Sequence, residues 1–235
     1  PAFISIFSIH LQTKILKMKK FSLLFLFSLL FWAGKSQDFS HIALDNRIYT
    51  DDIYSVKLCP ADKYFGTPII KLNSGEQLRL VFDHLGDYDE YMKYTLIHCS
   101  HDWQLSPMNP LEYLDGFMED EITDNSYSFN TITGYTHFEL LLPNDLLRIT
   151  KSGNYILFVY DETPENPILT QRFMVVESTT AGIVGTVQQA QDVNFMSTHQ
   201  QVDFLAYTGN YNVRNPSMLL NATILQNGRW DNAII

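Results

Sequence analysis

The chain has 235 residues, of which 26 are acidic and 16 basic, giving a formal net charge of −10, and 46% are hydrophobic and 14% aromatic. Five of the basic residues (Lys14, Lys17, Lys19, Lys20 and Lys35) and none of the acids lie in the first 36 positions, so the rest of the chain carries −15. A surface this acidic excludes a nucleic-acid partner, whose affinity comes from lysine and arginine against phosphate, and disfavours anionic membrane surfaces for the same reason.

Residues 1–17 open without a methionine and precede a complete export signal, so they are expected to be an upstream extension outside the fold. Met18-Lys19-Lys20 is a basic start, residues 21–33 (FSLLFLFSLLFWA) are an apolar run, and Gly34-Lys35-Ser36 supplies the small residues of a signal-peptidase site. Residues 18–36 therefore predict a signal peptide and a mature start at Gln37. The apolar run is shorter than the roughly 20 residues a membrane span needs, and no cysteine follows it to carry a lipid. A soluble exported protein is expected, with no direct membrane insertion after cleavage.

From there strand-like runs recur at 53–58, 68–72, 77–82, 91–100, 127–132, 135–142, 154–160 and 168–176, with Asn73-Ser74-Gly75, Lys151-Ser152-Gly153 and the acidic, proline-containing 161–167 as turns. Many short strands without helical periodicity predict an all-β fold, an antiparallel immunoglobulin-like β-sandwich over residues 37–176. After Glu177 the pattern restarts at 182–187, 201–207 and 218–226, which predicts the start of a second β domain over 177–235, cut short. The segment 101–125 carries no strand signal. Its length and its mixture of Trp103, Tyr113 and Phe117 with seven acids mark it as a binding surface.

The residues that could carry chemistry are few. His98-Cys99-Ser100-His101-Asp102 offers zinc-ligand types, but no second ligand pair stands elsewhere, and on a strand His98 and Cys99 point to opposite faces. A structural histidine is the preferred reading, and no metal is expected. Asp87 and Asp89 lack the full spacing of a calcium loop. No serine or cysteine sits in a nucleophile elbow, so no catalytic residue, no cofactor and no enzymatic activity are expected. For Cys99 a buried thiol is preferred over a bridge to Cys59.

The block Tyr94-Thr95-Leu96-Ile97-His98-Cys99-Ser100-His101-Asp102-Trp103, followed by Glu112-Tyr113-Leu114-Asp115-Gly116-Phe117, resembles the signature of the plug protein of the type IX secretion system. Further matches occur in the same order, among them Ser128-Phe129-Asn130-Thr131, Tyr135-Thr136-His137-Phe138, Leu169-Thr170-Gln171-Arg172-Phe173-Met174-Val175 and Ile224-Leu225-Gln226-Asn227-Gly228-Arg229-Trp230. The resemblance implies a non-enzymatic periplasmic protein, associated with the outer membrane, that docks on a large outer-membrane β-barrel translocon and seals it. The alternative is a glycan- or peptide-binding β-sandwich of the cell envelope. Trp103, Tyr113 and Phe117 are the candidate partner-binding residues, because interfaces concentrate binding in a few aromatic anchors. The competing expectation is that Trp103 and Phe117 fold back over the end of the sandwich.

Overall fold

The computed structural model describes residues 39, 41–86, 92–177, 182–209 and 212–234. The expected upstream extension and signal peptide lie outside the described residues, as do Asp87 and Asp89. The chain divides into two compact units, Pro1–His41 and Ile42–Ile235. All of the described strands belong to the second unit.

Alternating apolar residues build two facing sheets. The larger contains β1 (Arg47–Ile48), β3 (Ile69–Lys71), β5 (Met92–Cys99), β7 (Glu119–Glu121), β11 (Gly153–Asp161) and β12 (Pro167–Val176). Its order is β1-β12-β11-β5-β7, and β3 joins the same edge of the sheet as β1. The outer edge of β12 is shared: β1 pairs antiparallel with its first half through Arg47 and Thr170, and β3 pairs parallel with its last residues through Ile69 and Met174. The smaller sheet runs β2-β4-β9-β8, formed by β2 (Ile53–Pro60), β4 (Leu78–Leu85), β9 (Tyr135–Leu142) and β8 (Asp124–Tyr127). Among the described residues, every pairing apart from β3–β12 is antiparallel. The architecture is the expected antiparallel sandwich.

One core lies between the two sheets. Leu80, Phe82, Phe138 and Leu140 come from the smaller sheet, and Tyr94, Leu96, Tyr155, Leu157, Val159, Leu169 and Phe173 from the larger. Phe82 and Phe138 are cross-strand partners whose rings stack at 5.1 Å, the kind of pair that stabilises a sheet beyond the area it buries.

The outer face of the larger sheet is covered as well, which is why β5 and β11 read as near-continuous apolar runs. Ile97, Ile156, Phe158 and Tyr160 are all buried there. The segment after β6 (Leu114–Gly116) folds over one part of this face. Thr95 donates to the Met118 carbonyl at 2.6 Å, and the Tyr160 hydroxyl is bonded to Glu119. Burial and the neighbouring Glu119 carboxylate both raise the Tyr160 pKa.

Three sequence expectations need correction. Residues 101–125 are not irregular: they hold a single helical turn at Pro110–Tyr113 and the strands β6, β7 and the start of β8. These elements are too short to leave a periodic signature. β6 also finds its partner far along the chain, in β10 (Leu147–Ile149). Of the expected strand at 127–132 only Tyr127 is strand, as the last residue of β8; the rest is the loop between β8 and β9, because Asn130 takes a left-handed φ of 58° and the Ser128 hydroxyl accepts from Tyr135 N at 2.9 Å. The expected strand at 218–226 is a helical turn at Pro216–Leu219, followed by an isolated bridge between Ile224 and Ile234. Beyond the sandwich, β13 (Gly182–Gln189) and β14 (Gln200–Tyr207) form a separate two-stranded ribbon.

Candidate functional site

The segment leading out of β5 is organised by its own backbone. Ser100 N donates to the Gln104 carbonyl at 2.9 Å and Trp103 N to the Ser100 carbonyl at 3.1 Å, while Cys99 bridges to Leu105. The Ser100 hydroxyl donates to Asp102, which holds that carboxyl below its usual range. Asn154 Nδ2 donates to the Ser100 carbonyl at 3.0 Å and pins the loop to β11. In this loop Trp103 adopts a φ of 60°. A left-handed tryptophan costs about 1–3 kcal/mol and persists only where its surroundings hold it.

The loop hydrogen bonds hold that backbone, and around the ring stand an arginine and a second tryptophan. The Arg172 guanidinium lies 4.4 Å from the Trp103 ring centre and 5.0 Å from that of Trp230, and the two indoles meet edge to face at 4.9 Å. Arg172 Nε also donates to the Leu44 carbonyl at 2.8 Å, and its backbone N to Asn46 Oδ1 at 2.7 Å. A half-buried cation beside an aromatic ring contributes about 1 kcal/mol, and an aromatic pair about 1 kcal/mol. Trp103 is only 7% exposed as a result. Its face is occupied by Arg172, which removes the open indole platform that a sugar-stacking site needs.

Further along, Asn109 caps the short helical turn. Its side chain accepts from Leu111 N at 3.1 Å, and Glu112 reaches back to accept from Asn109 N at 2.8 Å. The turn drives Tyr113 inward, where it is 4% exposed. There it packs against His98 at 5.4 Å and Tyr155 at 5.9 Å, and Tyr155 stacks on Phe173 at 5.3 Å. His98 belongs to this aromatic end of the core, with burial pushing its pKa down and Nε2 lying 3.4 Å from the Ser152 carbonyl. Gly153 makes room for it, since a Cβ at that position would sit 2.4 Å from His98 Nε2.

Next to Tyr113 the chain turns outward. Gly116 has a φ of 104°, and a Cβ there would lie 2.2 Å from the Leu146 carbonyl oxygen. This close approach lets Phe117 N donate to the same carbonyl at 2.8 Å. Phe117 then stands 61% exposed beside the exposed Leu146. Of the three sequence-nominated residues, the structure therefore buries Trp103 and Tyr113 in different places and displays Phe117.

The thiols are inert in this setting. Cys59 and Cys99 are both free and buried, and burial pushes the Cys99 pKa up to about 12, which keeps it protonated and a poor nucleophile at neutral pH. Among the described residues no group of three or more His, Cys, Asp or Glu side chains is placed to hold a metal ion. A cleft of about 370 Å³ lies between residues 70–77 and 143–149, and two of its charged side chains are held locally. Glu76 accepts from Lys71 N, and Arg148 pairs with Asp115 at 2.8 Å.

A family model described as the type 9 secretion system plug protein 1st domain matches residues 53–177. The chain belongs to this plug family. The matched span begins at β2 and ends just past β12, so it takes in the smaller sheet and all of the larger one except β1. A crystal structure of a hypothetical protein from Parabacteroides merdae, at 2.30 Å resolution, is similar with a TM-score of 0.77 and 32% identity. The match covers 83% of this chain and 49% of that one, so the chain spans about half the length of that relative. No curated protein matches the chain. Among the described residues no helix is long and apolar enough to cross a membrane.

Membership of the plug family gives the chain a role connected with type IX secretion. Sequence reasoning missed the joint role of Arg172 and Trp230. The available signal was a lone cation inside the apolar strand Leu169-Thr170-Gln171-Arg172-Phe173, which implies a specific partner on a covered face. Its aromatic partners could not be read, since they come from two distant loops.

Proposed function

We propose that the chain is a non-enzymatic periplasmic plug, which docks on the periplasmic mouth of the outer-membrane β-barrel translocon of type IX secretion and keeps it closed between substrates. The family match over the first sandwich carries this reading. Export rests on the signal pattern at 18–36. A stopper for a wide aqueous barrel has to be rigid and soluble, and a sandwich with both faces of its larger sheet covered meets that requirement. The contact is assigned to Phe117, the nominated aromatic that is displayed to a partner, with Tyr113 holding its segment in place from inside.

The test is affinity capture of the tagged full-length protein from detergent-solubilised outer membranes, paired with entry of a hydrophilic dye into cells that lack it. A large β-barrel partner, and leakage reversed by complementation, are the expected results. Phe117→Ala should leave the far-UV circular dichroism unchanged and weaken capture. A correctly exported protein that captures no barrel, and whose loss causes no leak, would overturn the reading.

A further inference from the structure

We propose that the turn bearing Trp230 is a releasable strap, latched onto the outer face of the larger sheet by the contact of the Trp230 ring with Trp103 and Arg172. The strap is independent of the plug reading. Its basis is how narrow the contact is and what lies on either side of it.

On one side of Trp230 there is a cleft of about 540 Å³, lined by Cys99, Ser100, Trp103, Asn154, Asn221 and Thr223 among others. On the other is a cleft of about 390 Å³ lined by Asn46, Lys57, Thr67, Arg172, Asn227 and Gly228 among others. Packed interiors leave few voids larger than a water molecule. A segment whose aromatic contact with the sheet is the Trp230 ring, with open space on both flanks, is held over a small area, and its release exposes little surface. The turn itself is self-supporting: Arg229 is paired with Asp231, and Ile224 and Ile234 exchange backbone hydrogen bonds at 2.9 and 3.1 Å. It can therefore leave as a unit without unravelling.

The receiving side is prepared in advance. Arg172 is oriented by the Leu44 carbonyl at 2.8 Å, and Trp103 is aimed at it by a loop that Asn154 ties to β11. Neither arrangement involves residues 221–234. Arginine is the residue suited to this role, since its planar group stacks on aromatic faces while remaining charged. Closed, the strap fixes residues 221–234 on the outer face of the larger sheet.

These 235 residues contain three tryptophans, Trp32, Trp103 and Trp230, so this chain carrying Trp32→Phe reports on the strap alone. Trp230→Ala in that background should red-shift the Trp103 emission, raise its acrylamide quenching severalfold and abolish the exciton couplet between the indoles, with the thermal midpoint of the sandwich unchanged. Arg172→Lys, which keeps the charge and loses the plane, should move the same signals partway. In a urea titration, quenching of Trp103 should rise in a separate step before the far-UV signal is lost. The strap is wrong if Trp230→Ala leaves the Trp103 emission unaltered, because the indoles are then apart in solution. It is equally wrong if the variant lowers the midpoint of the sandwich, or if the quenching and far-UV transitions coincide, because Trp230 is then part of the core.

Discussion

The strands β11 and β13 are both antiparallel, and each pairs with its neighbour along its full length. Yet residues 155–160 of β11 are all buried, while every residue of β13 is exposed. Their compositions do not explain the contrast, since Val184 and Val187 in β13, and Phe204, Leu205 and Tyr207 in β14, are as apolar as much of the sandwich. What differs is the second layer. β11 faces Phe82 and Phe138 across the core and has Arg172 and the Trp103 loop on its other side, whereas among the described residues the ribbon has only its own hydrogen-bond ladder. A ladder exchanges one set of hydrogen bonds for another and contributes little net free energy, and burial against a second layer supplies most of the stability. Two strands alone are marginal.

The largest way to probe this contrast is to truncate one phenylalanine in each region. Phe82→Ala removes a fully buried ring and should cost about 3–5 kcal/mol, while Phe204→Ala, in the ribbon, should stay within about 0.5 kcal/mol. Chemical denaturation followed by circular dichroism measures both. Equal losses would mean that the ribbon is packed in solution against something as dense as the sandwich core.

A smaller effect is expected at Gly116, where the positive φ and the Leu146 carbonyl both oppose a side chain. Gly116→Ala should destabilise the sandwich by about 1–3 kcal/mol through backbone strain. It should also loosen the display of Phe117, seen as faster amide exchange at Phe117. Unchanged stability would show that the β6–β10 pair is not built as described.

The smallest effect is a pH dependence confined to the sandwich. Burial lowers the pKa of His98 from its usual 6.5, so the unfolded chain takes up a proton before the folded one does. The contribution is fully favourable above about pH 6.5 and is lost as the pH falls through the unfolded value toward the depressed one. His98→Gln removes this dependence. The stability advantage of the unaltered protein over the variant should therefore shrink between about pH 7.5 and pH 5.5, as read from thermal midpoints at matched ionic strength. An advantage that grows on acidification would place a carboxylate beside His98.

The all-β class and the strands β2, β3, β4, β5, β9, β11, β12, β13 and β14 were legible in the residues alone, because alternation and turn chemistry are local properties of the chain. So were the motifs by which the plug family is recognised. The remaining features come from tertiary structure. The three-residue strands β6, β7 and β10 exist only because a partner strand supplies the hydrogen bonds, and no window of sequence contains both partners. Tyr113 and Phe117 are both aromatic and four positions apart in an acidic segment, yet one closes the core and the other meets solvent, because the Asn109 cap turns the chain in and Gly116 turns it out. Trp103, Arg172 and Trp230 become a unit only when a loop, a strand and a distant turn converge on one sheet face. Such convergence depends on the three-dimensional path of the chain, which leaves no local trace in composition or periodicity.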